Sequence, residues 1–391
     1  MHRKSTGIDW TGFLGRQPAS QDGGETRDLA IRHGNAVNAG KTVLLTGAGG
    51  YIGAALASSL ADSGAARLIL LDATEHNLYE IDRKLCARKG SKIHVPLLGD
   101  AGDAALLREV FRNDRPEIVY HAAAFKHVPL MESNALAAAR NNALATYTLA
   151  RAAARHGAAK LVMVSTDKAV NPISVMGMTK RLAELALLSL GQANPSTCTI
   201  AVRLGNVLGS PGSVAPLFAE QLAGGGPLTV THRRATRYFL SLDECVQYIL
   251  KAASHEDGSC VLIPKLRRPR KITALAHYLM HKSGRNAPIL FSGLRPGEKL
   301  AEQLVFENES RSRCPDCGLD RVRSDVPSAA TVDAWMRRIQ DSIRKRDARA
   351  VFQTLQAAAG TSFPAGRGLP LLGPHGSTLS ARGVGMKTRV R

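Results

Sequence analysis

Three groups of residues in this sequence have types and spacings that could do chemistry. The first is Gly47-Ala48-Gly49-Gly50-Tyr51-Ile52-Gly53, in which Gly47, Gly50 and Gly53 keep a GxxGxxG spacing. Glycine at such positions lets the backbone turn tightly and approach a pyrophosphate, whose charge the amides of a following helix N-terminus can hold. Asp72 closes the next apolar run, about 20 residues on, where a carboxylate accepts hydrogen bonds from an adenosine ribose and repels a 2′-phosphate; NAD is therefore expected over NADP. Asp100, after Gly99, is the next candidate adenine contact. The second group is Ser165-Thr166-Asp167-Lys168, a hydroxyl, a carboxyl and an amine in succession at the end of an apolar run, followed by Met176 and Lys180, four residues apart and so on one helical face. The third is Cys314-Pro-Asp-Cys317. A structural zinc site needs four ligands, no cysteine follows, and the next histidine is His375 near the chain end, so no metal is expected.

The elements that must position these groups follow from hydrophobic patterning. Strand-length apolar runs at Thr42 to Thr46, Arg67 to Asp72, Ile93 to Leu98, Glu117 to His121, Leu161 to Ser165 and Thr199 to Arg203 alternate with helical patterns near 52-64, 76-88, 103-113, 132-156 and 174-190. Short buried strands separated by helices predict an α/β fold: a Rossmann-like doubly wound parallel sheet, here with a smaller mixed α/β substrate-binding domain. The expected divisions are an irregular leader or linker at 1-40, the NAD-binding domain at 41-205, the mainly substrate-binding domain at 206-305, a helical extension at 306-360 and a disordered basic tail at 361-391. In the second domain a short strand at Leu228 to Thr231 and helices near 243-254 and 272-283 are expected, and in the extension Val332, Trp335, Met336, Ile339 and Ile343 recur at helical spacing.

Charge narrows the company this chain keeps. Of 391 residues, 52 are Lys or Arg and 32 Asp or Glu, a net +20, of which 41-305 carries +12 and 361-391 carries +5. Anionic partners are implied, but aromatics are only 5% and no nucleic-acid motif is present, so nucleotide-like small molecules are favoured over nucleic acid. Six scattered cysteines fit a reducing compartment. No run of 18 apolar residues occurs and no secretory signal is evident, so a cytoplasmic protein is expected. The segment Lys265-Leu-Arg267-Arg268-Pro-Arg270-Lys271 reads as a solvated basic loop which, with the tail, could hold the chain at the periphery of an anionic inner membrane.

The stretches TGAGGYIG, AAAFKHVPLME, NNALAT, STDKAVNPISVMGMTKRLAE, VRLGNVLGSPGSV, GGPLTVTHRRATRYF and GLRPGEKL together resemble the polysaccharide-biosynthesis family of UDP-N-acetylglucosamine 4,6-dehydratases, extended members of the short-chain dehydrogenase/reductase superfamily. The resemblance spans roughly 41-305. It implies a redox-neutral reaction on UDP-N-acetylglucosamine or a close UDP-sugar. Bound NAD takes hydride from carbon 4, water leaves across carbons 5 and 6, and the hydride returns to carbon 6, giving a 4-keto-6-deoxy sugar for surface polysaccharide. A homo-oligomer is also implied.

On that resemblance, Thr166 would hold the carbon-4 oxygen, Asp167 in its acid form would protonate the departing hydroxyl, and Lys168, with its pKa lowered by burial and by Lys180, would take the carbon-5 proton. Lys180 would grip the nicotinamide ribose. Met176 stands where the superfamily carries Tyr; a thioether accepts no proton, so Asp167 is the expected base at the carbon-4 hydroxyl, and Met is similar to the branch that retains carbon-5 configuration. The cofactor set is Gly47, Gly50, Tyr51, Ile52, Gly53, Asp72, Asp100, Ala122, Ala123 and Lys180; the substrate set is Lys126, Asn206, Arg237 and Arg295, with His127 structural. Phe125, Tyr51 and Ala145 depart from the usual Tyr, Ser and Gly. A UDP-sugar 4-epimerase shares the first oxidation but needs no dehydration acid, and a catalytically inactive basic binding protein on an NAD fold is the alternative from another class.

Overall fold

The computed structural model describes residues 8–15, 36–88, 93–266, 268–314 and 317–361. Six parallel strands, β1 (Thr42–Thr46), β2 (Arg67–Asp72), β3 (His94–Leu98), β4 (Ile118–His121), β5 (Lys160–Thr166) and β6 (Cys198–Leu204), lie in the order β3-β2-β1-β4-β5-β6. The reversal of direction between β1 and β4 is the switch point at which doubly wound sheets open a crevice beyond the strand C-termini. Apolar side chains on the two faces of these strands build two separate cores. Leu45, Leu68, Tyr120, Ile200 and Val202 face one helical layer, and Leu44, Ile69, Val119, Met163 and Ala201 face the other. Burial on both faces is why the strands read as continuous apolar runs rather than alternating ones.

The sheet does not stop where the expected domain boundary falls. Cys260–Ile263, inside the expected substrate-binding span, pairs parallel to β6, and two more strands, Asp320–Arg323 and Ser310–Arg313, bring the sheet to nine. The last two form an antiparallel hairpin inside the span expected to be helical. Their sequences, Ser-Arg-Ser-Arg and Asp-Arg-Val-Arg, carry no apolar run; all four residues of Ser310–Arg313 are exposed, and a row of arginines suits an edge strand because it discourages pairing with a second chain. The expected helix beyond it runs Ala329–Arg344, burying Val332, Met336 and Ile339 against the helix Val175–Ala193, with a further helix Ala348–Ala359 alongside.

The expected substrate-binding span gathers a further core around Phe218, Leu228, Leu275 and Leu279. Part of the expected leader belongs to it. Phe13 and Leu14 are buried there, Phe13 meets Phe239 edge-on at 5.3 Å, and the Tyr278 hydroxyl donates to the Asp9 carbonyl at 2.5 Å. Eight residues are too short to show a period, so their composition alone suggested a linker. Arg270 of the basic segment lies over the Phe13 ring at 5.3 Å, and Arg270–Lys271 pairs antiparallel with Thr236–Arg237, so that end of the cluster is built into this part of the fold. Arg267 and the tail 362–391 lie outside the described residues.

A buried ionic network joins sheet, helix and hairpin. The Arg203 guanidinium on β6 donates to both oxygens of Glu184 (Nε to Oε1 3.0 Å, Nη2 to Oε2 2.9 Å) and both of Glu309 (2.6 and 2.8 Å), and to the Leu304 carbonyl. Ser165 on β5 donates to Glu184 at 2.6 Å, Ser324 to Glu309 at 2.7 Å, and Arg181 pairs with both carboxylates. Burial alone would push the Glu184 and Glu309 carboxyls up; the arginines reverse that and hold both below the ordinary value of 4.5. Their contribution to stability is therefore complete above that value and is lost as pH falls through the depressed folded-state pKa. Glu309→Gln leaves a buried cation short of a partner and is expected to cost about 3–5 kcal/mol at neutral pH, with a deficit that shrinks toward acid; urea unfolding of the two proteins across pH checks both magnitude and direction.

Candidate active site

The glycine loop after β1 is shaped by contact, not flexibility. Gly47 has φ +68°, and a Cβ there would lie 2.6 Å from the Ala123 nitrogen at the end of β4; a Cβ on Gly53 would lie 1.9 Å from the Gly47 carbonyl oxygen. These residues close the loop onto the helix Tyr51–Ala61 and onto Ala122 and Ala123. Asp72 accepts from the Gly49 amide (2.9 Å) and the Thr74 amide (2.8 Å), one hydrogen bond per oxygen, so it stiffens the loop and keeps further acceptor capacity at the mouth of the crevice. Tyr51 opens the helix and donates to the Leu208 carbonyl at 2.9 Å, and Ile52 packs against the core beside it. Asp100 is exposed and spends one oxygen on the Gly102 amide in an Asx turn.

At the end of β5 the polar triad is drawn together. Thr166 caps the short turn Asp167–Ala169 by accepting from the Lys168 amide at 3.3 Å and donates its hydroxyl to Asp167 Oδ1 at 3.0 Å. The same oxygen accepts from Lys168 Nζ at 2.9 Å, while Oδ2 is buried with no hydrogen-bond partner among the described residues. Lys168 Nζ also donates to Asn206 Oδ1 at 3.0 Å and lies 3.8 Å from Glu302. Burial pulls the Lys168 pKa down, but Asp167 and Glu302 outweigh it, so the net shift is upward. This corrects the expectation of a depressed Lys168: its counter-ions come from its immediate neighbour and from a residue more than a hundred positions away. Of these two lysines the depressed one is Lys180, which burial brings to about 8 against partial opposition from Glu184.

Met176 and Lys180 share a face of Val175–Ala193, both buried, with Met176 packed among Met131, Val175 and Met178. Opposite them, His121 is enclosed between Thr46 (2.7 Å) and Thr146 (2.8 Å). Thr146 donates its own proton to the Asn142 carbonyl, so His121 Nε2 must be the donor and Nδ1 the acceptor. Burial first and Lys180 second push its pKa down to about 3, and the ring stays neutral.

The loop after β4 is held by a turn of π-helix, Ala139–Leu144, inside the helical stretch expected near 132-156. It aims Asn142 so that Oδ1 accepts from the Phe125 amide (2.8 Å) and Nδ2 donates to the Phe125 carbonyl (3.0 Å), fixing Lys126 next to it. Lys126 Nζ donates to Ser210 Oγ, with its pKa lowered by burial, and His127 sits against Gly212. Asn206 thus meets the triad through Lys168, and Lys126 is tied to Ser210, four residues further along the same segment. Arg237, expected as a phosphate ligand, is engaged by the protein's own acceptors and lies 3.9 Å from Glu302. It is buried and donates to the carbonyls of Thr236, Leu300 and Lys299 and to Glu298, bracing the Gly297-Glu298-Lys299 segment. Arg295 is exposed; its backbone amide donates to the Glu298 carboxylate and its carbonyl accepts from the Glu298 amide, and its side chain makes no hydrogen bond or ion pair with the triad. Glu302, Lys299, Asn142 and His121 went unassigned in the sequence; the charged pair inside GLRPGEKL was the one available signal, and the others depend on burial.

The model of the polysaccharide biosynthesis protein family matches residues 43–317, more than half of the chain. This chain belongs to that family. The capsular polysaccharide biosynthesis protein CapD of Staphylococcus aureus is 44% identical over 301 residues, 76% of this chain and 49% of CapD. The chain spans about half the length of the curated relatives it matches. Among solved structures, Pen from Bacillus thuringiensis superposes with a TM-score of 0.68 at 26% identity, covering 74% of this chain and 90% of Pen. DesIV of Streptomyces venezuelae, a dTDP-glucose 4,6-dehydratase solved with NAD and DAU bound, does so with 0.59 at 22% identity, covering 67% and 87%, a likeness of fold. Among the described residues of this family member, no helix is long and apolar enough to cross a membrane.

The lysine at the centre of the site carries a cost that pH can reveal. Below about 8 the folded chain holds a buried ammonium at Lys180, and between there and the ordinary 10.5 the unfolded chain binds the extra proton. Lys180→Met is expected to stabilise nucleotide-stripped protein at pH 7 by up to about 3 kcal/mol, at about 1.4 kcal/mol per pKa step, with the gain dwindling as pH rises through that window. Thermal unfolding at a series of pH values measures it; a gain independent of pH would assign the effect to packing alone.

Proposed function

We propose that the chain is an NAD-dependent 4,6-dehydratase acting on UDP-N-acetylglucosamine or a close UDP-sugar. The observation that carries the reading is the Asp167 carboxylate, buried between the Thr166 hydroxyl and the Lys168 ammonium, with Oδ2 left to meet a further group. A simple oxidation and re-reduction at carbon 4 has no use for an acid and a base side by side; loss of water across carbons 5 and 6 needs both.

The glycine loop, its helix N-terminus and Asp72 fit a dinucleotide: a Cβ at Gly47 or Gly53 would fill the cradle, and the Asp72 oxygens retain lone pairs for a ribose. NAD, when bound, supplies reversible uptake of hydride. Lys180, whose charge is felt by His121 at the end of β4, would donate to its nicotinamide ribose. An Asp at the β2 terminus favours the cofactor without a 2′-phosphate.

The chain's own residues account for the protons. Asp167 is the group that can accept the carbon-4 hydroxyl proton, since Met176 cannot. Thr166, whose hydroxyl donates to Asp167 Oδ1 in the open site, would turn that proton to the resulting carbon-4 oxygen once Asp167 is itself protonated. Lys168 and Asp167 form an ion pair at 2.9 Å. The carbon-4 proton that Asp167 takes is the one it gives to the departing carbon-6 hydroxyl. While it holds that proton Asp167 is neutral and no longer raises the Lys168 pKa, so Nζ can release its own proton to solvent and take the carbon-5 proton, which a proton from the same amine replaces at the end of the cycle. The upward shift of Lys168 in the open chain is thus compatible with its role as base during elimination. Lys126 and Asn206 would contact the substrate; Arg237 would act by holding Glu298, Lys299 and Glu302 in place, and Arg295, at the surface, would reach a diphosphate only by a change of conformer. Met176 supports retention at carbon 5.

Incubation with UDP-N-acetylglucosamine in heavy water, followed by NMR, tests the reading. A carbon-6 methyl, a carbon-4 ketone or its hydrate and deuterium at carbon 5 are expected. A 4-epimer with carbon 6 intact would overturn it in favour of an epimerase. Asp167→Asn is expected to lose dehydration by at least about a thousand-fold, within the range of acid–base contributions, while keeping NAD bound; undiminished turnover would refute the assigned role.

A further inference from the structure

The site holds the N-terminal half's chemistry at the C-terminal ends of the strands. At the opposite edge the structure assembles a second constellation that the sequence order hides. Cys314 and Cys317 lie at the turn of the hairpin Ser310–Arg313/Asp320–Arg323, where the Cys314 amide donates to the Leu319 carbonyl (2.9 Å), the Gly318 amide donates to the Cys314 carbonyl (3.2 Å) and Gly318 takes φ +66°. His255 comes from the loop between the helix Leu242–Ala253 and the strand Cys260–Ile263, and its carbonyl accepts from Lys160 Nζ at the first residue of β5 (2.9 Å), which fixes the constellation at the edge away from Thr166. His255 Nδ1 stands 3.2 Å from Cys314 Sγ, Cys314 Sγ stands 3.0 Å from Cys317 Sγ, and all three ligand atoms lie within 4.8 Å of one another. All three residues are at most 5% exposed. The expectation of no metal searched for ligands downstream of Cys317; the histidine lies 59 residues upstream of Cys314.

We infer that His255, Cys314 and Cys317 form a structural site for a zinc-class ion. The donor set is soft thiolate plus imidazole in a CxxC spacing, and bonds of about 2.3 Å to sulfur and 2.0 Å to nitrogen bring tetrahedral ligands to separations of about 3.5–3.8 Å, so the observed 3.0 and 3.2 Å would open by several tenths of an ångström around an ion. Structural sites close with a fourth ligand. Cys260, 4% exposed and in the same apolar cluster as Cys314 and Cys317, is not among the groups whose ligand atoms fall within 4.8 Å of one another, so it would complete the site only after a shift of its side chain, with a water as the other occupant of the fourth position. Thiol–disulfide exchange is a poorer fit, because an exchanging thiol must be reached by its partner and these are enclosed. The contrast within the chain is Asp82, Cys86 and His94, a second trio whose cysteine is exposed and whose His94 and Asp82 already pair at 3.1 Å.

The ion would fasten the hairpin at its turn, while Glu309 and Ser324, flanking the two strands, fasten it at its base through Arg203 and Arg181. Its role is therefore in holding the ninth-strand extension onto the sheet, and the inference stands whether or not the chain is a dehydratase. The test is metal content of the full-length chain, purified without chelator, by mass spectrometry of the elements: about one zinc per chain is expected, lost in Cys314→Ser/Cys317→Ser and retained in Cys86→Ser. On wild-type protein alone, cobalt(II) exchanged for zinc should give thiolate-to-cobalt charge-transfer and tetrahedral d–d bands, and a strong chelator should lower the melting temperature. Wild-type chain with less than about a tenth of an equivalent of metal and no cobalt spectrum would overturn the inference, as would zinc that persists in the double variant. An intact-mass deficit of two hydrogens with Cys314 and Cys317 cross-linked would replace it with a disulfide.

Discussion

The side of the candidate active site built from β5, the helix Val175–Ala193 and the segment 304–309 hangs on the Arg203 guanidinium. It is fully buried and chelates Glu184 and Glu309 at once, and Glu184 in turn takes the hydroxyl of Ser165, immediately before the triad. Two arginines against two glutamates leave the network neutral, so the low dielectric around it strengthens the pairs without stranding a charge. One side chain thereby sets the relation of β5, the helix carrying Met176 and Lys180, and the segment from Leu304 to Glu309. Phe306 is drawn in too, its ring under Arg181 at 4.4 Å.

The cations of the cleft divide by how they are satisfied. Arg237 is spent on carbonyls and carboxylates of its own loop, and Lys168 on Asp167, Asn206 and Glu302. Lys180 is enclosed, with its charge only partly compensated. Several cations between residues 41 and 305 are thus committed to the protein's own acceptors, and residue type alone overstates how many are available to an anion.

The parallel sheet was legible because each of its first six strands is an apolar run closed by polar residues, and the glycine loop because strand, spacing and Asp72 agree. Thr166, Asp167 and Lys168 were legible as a cluster, but not the protonation of Lys168, which depends on Glu302 arriving from another part of the chain. Arg237 and Arg295 stood in motifs of the right character and differ completely in surroundings, one walled in by carbonyls and one at the surface, a distinction that residue type does not encode. The hairpin 310–323 was illegible because an edge strand rich in Arg and Ser has no hydrophobic alternation to detect. The short stretch from Ile8 to Leu14 failed for the opposite reason: its Trp and Phe are strong anchors, but too few to set a period.

The π-turn at Ala139–Leu144 is one residue longer than the α-turn it replaces. Each residue of an α-helix advances the chain by about 100°, so the extra residue rotates the helix upstream of Asn142 relative to the helix downstream while leaving both regular. Asn142 therefore points at the Phe125 peptide although Ala145, Leu149 and Ala153 keep their faces on the core. The orientation of the Lys126 loop is in this sense counted rather than coded: it depends on the number of residues between Ala138 and Ala145 more than on their identities, and lineages that gained or lost one residue there would hold that loop at a different angle over the same sheet.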